Sequence, residues 1–129
     1  IFDEAILMNS QGKVCEATGM NIFIIRNGQL ITPSFDQDIL EGITRDSVLT
    51  IARDLGIPVI ERPVDKTELF IADEVFLSGT AAKITPIKKI ETFSLPAAKP
   101  ITYQLKEKLS SIVLNQEPKY QDWITQVPL

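Results

Sequence analysis

The chain has 129 residues, 44% of them hydrophobic and 7% aromatic, and its 13 basic and 17 acidic side chains leave a net charge of −4. That is the length of one domain with enough apolar material for a core; no apolar run is long enough to span a bilayer, and no basic stripe follows a nucleic-acid backbone. Histidine is absent and Cys15 is the single cysteine, which removes the commonest general base, the usual zinc ligand and any internal disulfide.

The first half reads as β hairpins. Glu4 to Met8 is an apolar run, Asn9 to Gly12 a turn cluster, and Lys13 to Ala17 resumes the strand. Asn21 to Arg26 (NIFIIR) is rich in β-branched and aromatic residues. Asn27-Gly28 then offers two residues that tolerate positive φ, and Gln29 to Thr32 is the return strand. Pro33 to Ile39 is an irregular loop.

Gly42 to Asp46 opens the clearest helix, with Thr44 or Asp46 as its cap. Val48, Ile51, Ala52 and Leu55 fall on one face, and Gly56 ends it. Ile57 to Val64 reads as an extended strand with prolines at both margins. Asp65 to Glu68 resembles a capping box for a short helix through Ala72. Glu74 to Ser78 is a short apolar strand stopped by Gly79, and Lys83 to Thr92 is another strand. Pro100 to Asn115 is an amphipathic helix with Pro100 in its first turn and Ile101, Leu105, Leu109, Ile112 and Val113 inward. Tyr120 to Val127 is a short terminal helix. Strands first, then mixed helices and strands, predict an α+β domain over residues 1–129.

Two stretches could hold an anion. Gly42-Ile43-Thr44 precedes the first long helix, whose first amides lack intrahelical partners and whose dipole favours negative charge. Ser78-Gly79-Thr80-Ala81-Ala82 follows a buried strand and leaves backbone amides accessible beside a threonine hydroxyl. Each alone reads as readily as a structural turn. Glu16 closes an apparent strand among small residues, where a partly buried carboxylate needs a partner that rewards its charge; an edge-strand glutamate in water is the plainer reading. Cys15 packs as a small hydrophobe, and Lys88-Lys89 is a solvated strand end. The residue pattern points to no metal site. The first residue is Ile1 rather than Met, which suggests a piece of a longer protein.

Taken in order, Glu16 to Phe23 (EATGMNIF), Leu30 to Thr32 and Leu40 to Arg45 (LEGITR) resemble the signature of the class IV pyridoxal-phosphate aminotransferases. Ala72 to Ala82 (ADEVFLSGTAA), Thr85-Pro86 and Tyr120 to Ile124 (YQDWI) are similar to the branched-chain amino acid aminotransferases in particular.

The resemblance implies a mixed or antiparallel sheet with flanking helices. It makes residues 1–129 the large C-terminal, cofactor-binding domain of the D-amino acid aminotransferase-like fold. It implies transamination of leucine, isoleucine or valine with 2-oxoglutarate in the full-length protein. Glu16 would face the pyridine nitrogen of pyridoxal 5'-phosphate and Leu40 would pack on its ring. Ile43, Thr44 and Thr80 would bind its phosphate. Gly79, Thr80 and Ala81 would take the substrate carboxylate. The catalytic lysine is expected upstream of Ile1, so neither Lys13 nor Lys83 is assigned that role and this chain alone is expected to be inactive. Thr18, Met20 and Lys83 depart from the residues usual at their positions. A homodimer or larger homo-oligomer, a cytoplasmic location, and no nucleic-acid or membrane partner complete the expectation. The alternatives are a D-amino acid aminotransferase or aminodeoxychorismate lyase of the same class, or a non-catalytic domain that binds a phosphorylated ligand or another protein.

Overall fold

A computed structural model of the chain describes residues 4–17, 19–34, 43–79, 83–114 and 117–123. A short hairpin of β1 (Ile6–Met8) and β2 (Val14–Ala17) leads into the main sheet. That sheet is built from β3 (Asn21–Arg26), β4 (Gln29–Thr32), β5 (Val59–Glu61), β6 (Glu74–Gly79) and β7 (Lys83–Pro86), in the order β5-β4-β3-β6-β7. Every pairing is antiparallel except β4 with β5. A parallel pair needs a crossover, and α1 (Ile43–Asp54) supplies it. The architecture is therefore α+β with a mixed sheet, as the order of elements predicts.

Both faces of the sheet are covered, which is why its central strands read as nearly unbroken apolar runs. Phe23, Ile25, Leu30, Phe76 and Ile84 face α1 and α3 (Pro100–Val113), meeting Val48, Leu49, Ile51 and Ala52 from the first and Leu105, Leu109 and Ile112 from the second. At the centre of this face the rings of Phe23 and Phe76 stack across β3 and β6, 4.8 Å apart and 9° from parallel. The opposite face carries Ile22, Ile24, Ile31, Val75 and Leu77 beneath Val14, Val64, Ile90, Leu95 and Leu69 of α2 (Lys66–Ile71). Full burial of side chains of this size contributes about 1.5–3 kcal/mol each.

The local signals act as their chemistry dictates. Asn27 and Gly28 turn the β3–β4 hairpin at φ 51° and 76°. Asp65 donates its N–H to Glu68 Oε2 at 3.0 Å, the return half of the capping box. Gly56, at φ 78°, stops α1. Glu74 is 3% exposed, and its carboxylate accepts the N–H groups of Ile101 (3.3 Å) and Thr102 (2.8 Å), so an acid of the sheet caps α3.

Some expected boundaries shift. The strand expected from Ile57 to Val64 contracts to Val59–Glu61, between Pro58 and Pro63, because a proline cannot donate to a ladder. The single strand expected from Lys83 to Thr92 divides after Pro86, where β7 ends. After β7 the chain forms a separate hairpin of β8 (Lys89–Ile90) and β9 (Phe93–Ser94), turned by Glu91 at φ 54°. Val113 is 55% exposed rather than inward; Leu105, Leu109 and Ile112 hold the buried stripe, and the next residue lies a further 100° around the helix. In place of the expected terminal helix the described part is a 3-10 turn, Pro118–Trp123, and residues 124–127 lie outside the described residues. Its Tyr120 is buried and donates its hydroxyl to Asp54 Oδ2 at 2.5 Å, which pins the turn to the C-terminal end of α1. No helix among the described residues is long and apolar enough to cross a membrane.

Candidate active site

The direction of α1 decides where its anion-binding end lies. Its C-terminus returns to the sheet beside Leu30: Ile57 N–H donates to Ala52 O at 2.9 Å, Leu30 N–H to Pro58 O at 2.8 Å, and Val59 stands opposite Leu30. The helix therefore begins at the other end of the strands, where Thr32 closes β4. Arg45, in its first turn, is 1% exposed and fastens it there. One guanidinium nitrogen donates to Glu61 Oε1 at 2.7 Å and to the carbonyl of Pro33 at 3.1 Å, and Glu61 stands opposite Thr32.

The end of β6 arrives at the same place. The Thr32 hydroxyl donates to Ile22 O at 2.7 Å, Ile22 pairs with Leu77, and Asn21 pairs with Ser78. The ends of β4, β5 and β6, the start of β3 and the first turn of α1 therefore share one end of the sheet. Glu16 joins them through the next turn. Ala17 and Met20 exchange both backbone hydrogen bonds, at 2.9 and 3.1 Å, around Gly19 at φ 71°. Met20 Cγ lies 3.0 Å from where a Cβ on Gly79 would stand, and Gly19 O lies 3.9 Å from it. Half-buried Glu16 thus sits one residue from a turn seated against Gly79.

Of the residues the sequence singles out, Glu16 lies one residue from the turn that meets Gly79, and Thr44 lies in the first turn of α1 at the same end of the sheet. Ile43 begins the helix. Thr44 and Asp46 lie within the first turn, not at its cap as expected, because Ile43 is already helical. Leu40, Thr80 and Ala81 lie outside the described residues, as does the side chain of Ile43. Lys13 pairs with Asp65, and Lys83 is exposed at the start of β7, opposite Gly79. Among the described residues no group of three or more His, Cys, Asp or Glu gathers as a metal site.

Two residues at this end carry a burial signal that the sequence reading did not use. Arg45 precedes Val48, Leu49 and Ala52 by three, four and seven positions, which puts it on the buried stripe of α1. Ser78 alternates with Phe76 and Glu74 on the helix-bearing face of β6. It is 1% exposed, and its hydroxyl has no hydrogen-bond partner among the described residues.

Chemically this end offers a helix N-terminus, whose first amides have no intrahelical acceptor, a buried hydroxyl, and a carboxylate on a nearby strand. Such a set suits a ligand with an anionic group at one end and a basic atom at the other.

Comparison with known proteins supplies the family. Residues 1–90 match the family model described as amino-transferase class IV. The chain is 70% identical over 128 residues to a Synechocystis sp. protein named "Probable branched-chain-amino-acid aminotransferase", covering 99% of this chain and 42% of that one. It superposes with a TM-score of 0.92 on the crystal structure of a Thermoproteus uzoniensis branched-chain aminotransferase with norvaline, at 51% identity over 95% of this chain and 41% of that one. The PLP-form (holo-form) of a Thermobaculum terrenum branched-chain amino acid aminotransferase gives a TM-score of 0.92 at 46% identity, again over 95% of this chain and 41% of the other.

Proposed function

Because the chain belongs to the class IV aminotransferase family, we propose that the longer protein containing it moves the amino group of leucine, isoleucine or valine to 2-oxoglutarate, giving the 2-oxo acid and glutamate. The chain spans 42% of the length of its Synechocystis relative, and the proposal concerns that longer protein. The observation that carries it is the meeting of Glu16, the start of α1 and the end of β6 at one end of the sheet.

The cofactor we assign is pyridoxal 5'-phosphate, which when bound supplies the electron sink for amino-group transfer. The site fits such a group on two counts. A buried hydroxyl, that of Ser78, awaits a partner, and α1 begins at the same end of the sheet. In this reading the amides of Ile43 and Thr44, with the Thr44 hydroxyl, grip the phosphate from the helix terminus. The hydroxyl of Thr80 adds a further donor. Leu40 packs against the ring. Glu16 holds a proton at the pyridine nitrogen, because its carboxylate rewards the charged form. Gly79, Thr80 and Ala81 receive the substrate carboxylate, and Gly79 lets the chain pass under Met20 where a Cβ would crowd it.

The same reading makes this segment a cofactor-binding portion of the enzyme, with the catalytic lysine outside it. It makes the chain inactive by itself and the full protein a homodimer or larger homo-oligomer. Family membership and likeness to branched-chain enzymes support it over a stand-alone binding module.

The test is steady-state turnover of the full-length protein. Glutamate formed from leucine and 2-oxoglutarate is the expected result. Turnover with D-alanine alone assigns the D-amino acid class. Pyruvate released from aminodeoxychorismate assigns the lyase. Failure with all three overturns the proposal.

A further inference from the structure

Among the described residues two buried hydroxyls, those of Ser78 and Thr102, make no hydrogen bond. An unmade hydrogen bond of this kind costs about 1–3 kcal/mol, so such a group calls for an explanation. The two differ in place. Thr102 lies in the first turn of α3 at the Glu74 end of β6, where the carboxylate already receives the local amides. Ser78 lies at the opposite end of β6. It stands on the face that carries α1, next to Gly79 and at the end of the sheet where α1 begins.

We propose that the Ser78 hydroxyl is a further phosphate ligand of the cofactor, donating from the sheet side to the anion that the first amides of α1 hold from the helix side. The inference rests on the cofactor reading above and adds to it a residue that reading leaves without a role. Three features of the position favour an anion. The terminus of α1 sets a positive field there. A phosphate accepts hydrogen bonds and needs donors from several directions, and a serine can donate. The group is sealed from bulk water at 1% exposure, so a charge-assisted bond formed there keeps more of its strength than one in solvent. Arg45, the nearest guanidinium in the helix, is drawn toward Glu61 and Pro33, which leaves the sheet side of the cup to a neutral donor.

The test uses the full-length apoenzyme, titrated by calorimetry with pyridoxal phosphate, with pyridoxal, and with inorganic phosphate. Wild type, Ser78→Ala and Ser78→Cys are compared. The ratio of affinities for pyridoxal phosphate and pyridoxal isolates the phosphate, because both carry the same aldehyde and ring. Loss of one charge-assisted bond is expected to lower that ratio about tenfold in Ser78→Ala. Inorganic phosphate is expected to weaken in parallel, with pyridoxal unchanged. Ser78→Cys keeps the volume but donates weakly, and is expected to behave like the alanine variant. Without ligand, the melting temperature of Ser78→Ala should equal or exceed that of wild type, since the hydroxyl it removes is unpaired.

An unchanged ratio overturns the inference, as does an equal loss for both aldehydes or a variant that fails to fold without ligand. A wild type that binds pyridoxal phosphate no more tightly than pyridoxal overturns the phosphate cup itself, which separates failure of the cofactor reading from failure of Ser78 alone.

Discussion

Glu16 and Arg45 are two charges placed near one site for opposite purposes. Glu16 is half-buried at the end of β2, and in the proposed enzyme its charge is used on the ligand. Glu16→Gln keeps the shape and removes the charge, so the ring nitrogen loses the group that holds its proton. We expect leucine turnover to fall by about 10²-fold or more, a size typical of one positioned proton-holding group, while calorimetry shows the cofactor still bound. Turnover within twofold of wild type would remove Glu16 from the chemistry. Arg45 spends its charge on the protein. At 1% exposure it ties α1 to Glu61 and Pro33, so it positions the helix terminus. Arg45→Met fills similar space but leaves Glu61 without its closest cation. Glu61 is 33% exposed and has Arg53 at 3.6 Å, so solvent and that second partner soften the loss. The expected cost is about 2–3 kcal/mol, below that of breaking a fully buried pair. It should be read as a lowered denaturation midpoint together with weaker binding of inorganic phosphate. A stability loss with phosphate affinity intact would confine Arg45 to packing.

At the scale of elements, charged side chains set where helices start. The amphipathic spacing of α1 and α3 and the capping box of α2 were legible in the sequence because each is a local rule. Glu74 as the cap of α3 was not, because its partners lie 27 and 28 residues away. Its one trace is an acid in the apolar run EVFLS. The α2 cap adds a long-range cluster to the local box. Arg62 grips both oxygens of Glu68, at 2.6 and 3.0 Å, and Arg26 approaches at 3.3 Å. The Arg62 guanidinium, aided by the Asp65 N–H and Arg26, holds the Glu68 carboxyl at about 2, below its ordinary 4.5. A folded-state value below the unfolded one means that the stabilisation is fully present above pH 4.5 and is lost as pH falls toward 2. Glu68→Gln should therefore cost about 2 kcal/mol at neutral pH. The gap between variant and wild type should close between pH 4.5 and 2, followed by thermal denaturation across that range. A gap independent of pH would mean that Glu68 acts through shape and not charge.

For the whole molecule, the question is what transmits order to the end of the sheet where the site gathers. The apolar runs NIFIIR and EVFLS announce strands buried on both sides, and that much could be read in advance. Their pairing with each other, with 47 intervening positions between Arg26 and Glu74, could not, because alternation names a face but not a neighbour. Nor could the meeting of Met20 with Gly79, which depends on the Ala17–Met20 turn seating against the end of β6. The stacked rings of Phe23 and Phe76 stand where these long-range choices cross. They join the two central strands, lie under both α1 and α3, and are each 0% exposed. Phe76 is also two residues before Ser78 on the same face. Phe76→Ala should open a cavity against a neighbour ring that has no other aromatic stacked on it among the described residues. Its expected cost is about 3–5 kcal/mol. Ile71→Ala, on a side chain 61% exposed, should stay within about 0.5 kcal/mol. If the stack also sets the register at the site, Phe76→Ala should weaken pyridoxal phosphate more than pyridoxal, as Ser78→Ala does, but with a large drop in melting temperature that Ser78→Ala lacks. Equal melting temperatures for Phe76→Ala and Ile71→Ala would show that the central stack does not hold the sheet, and that the register at the site is set by the turns at its ends.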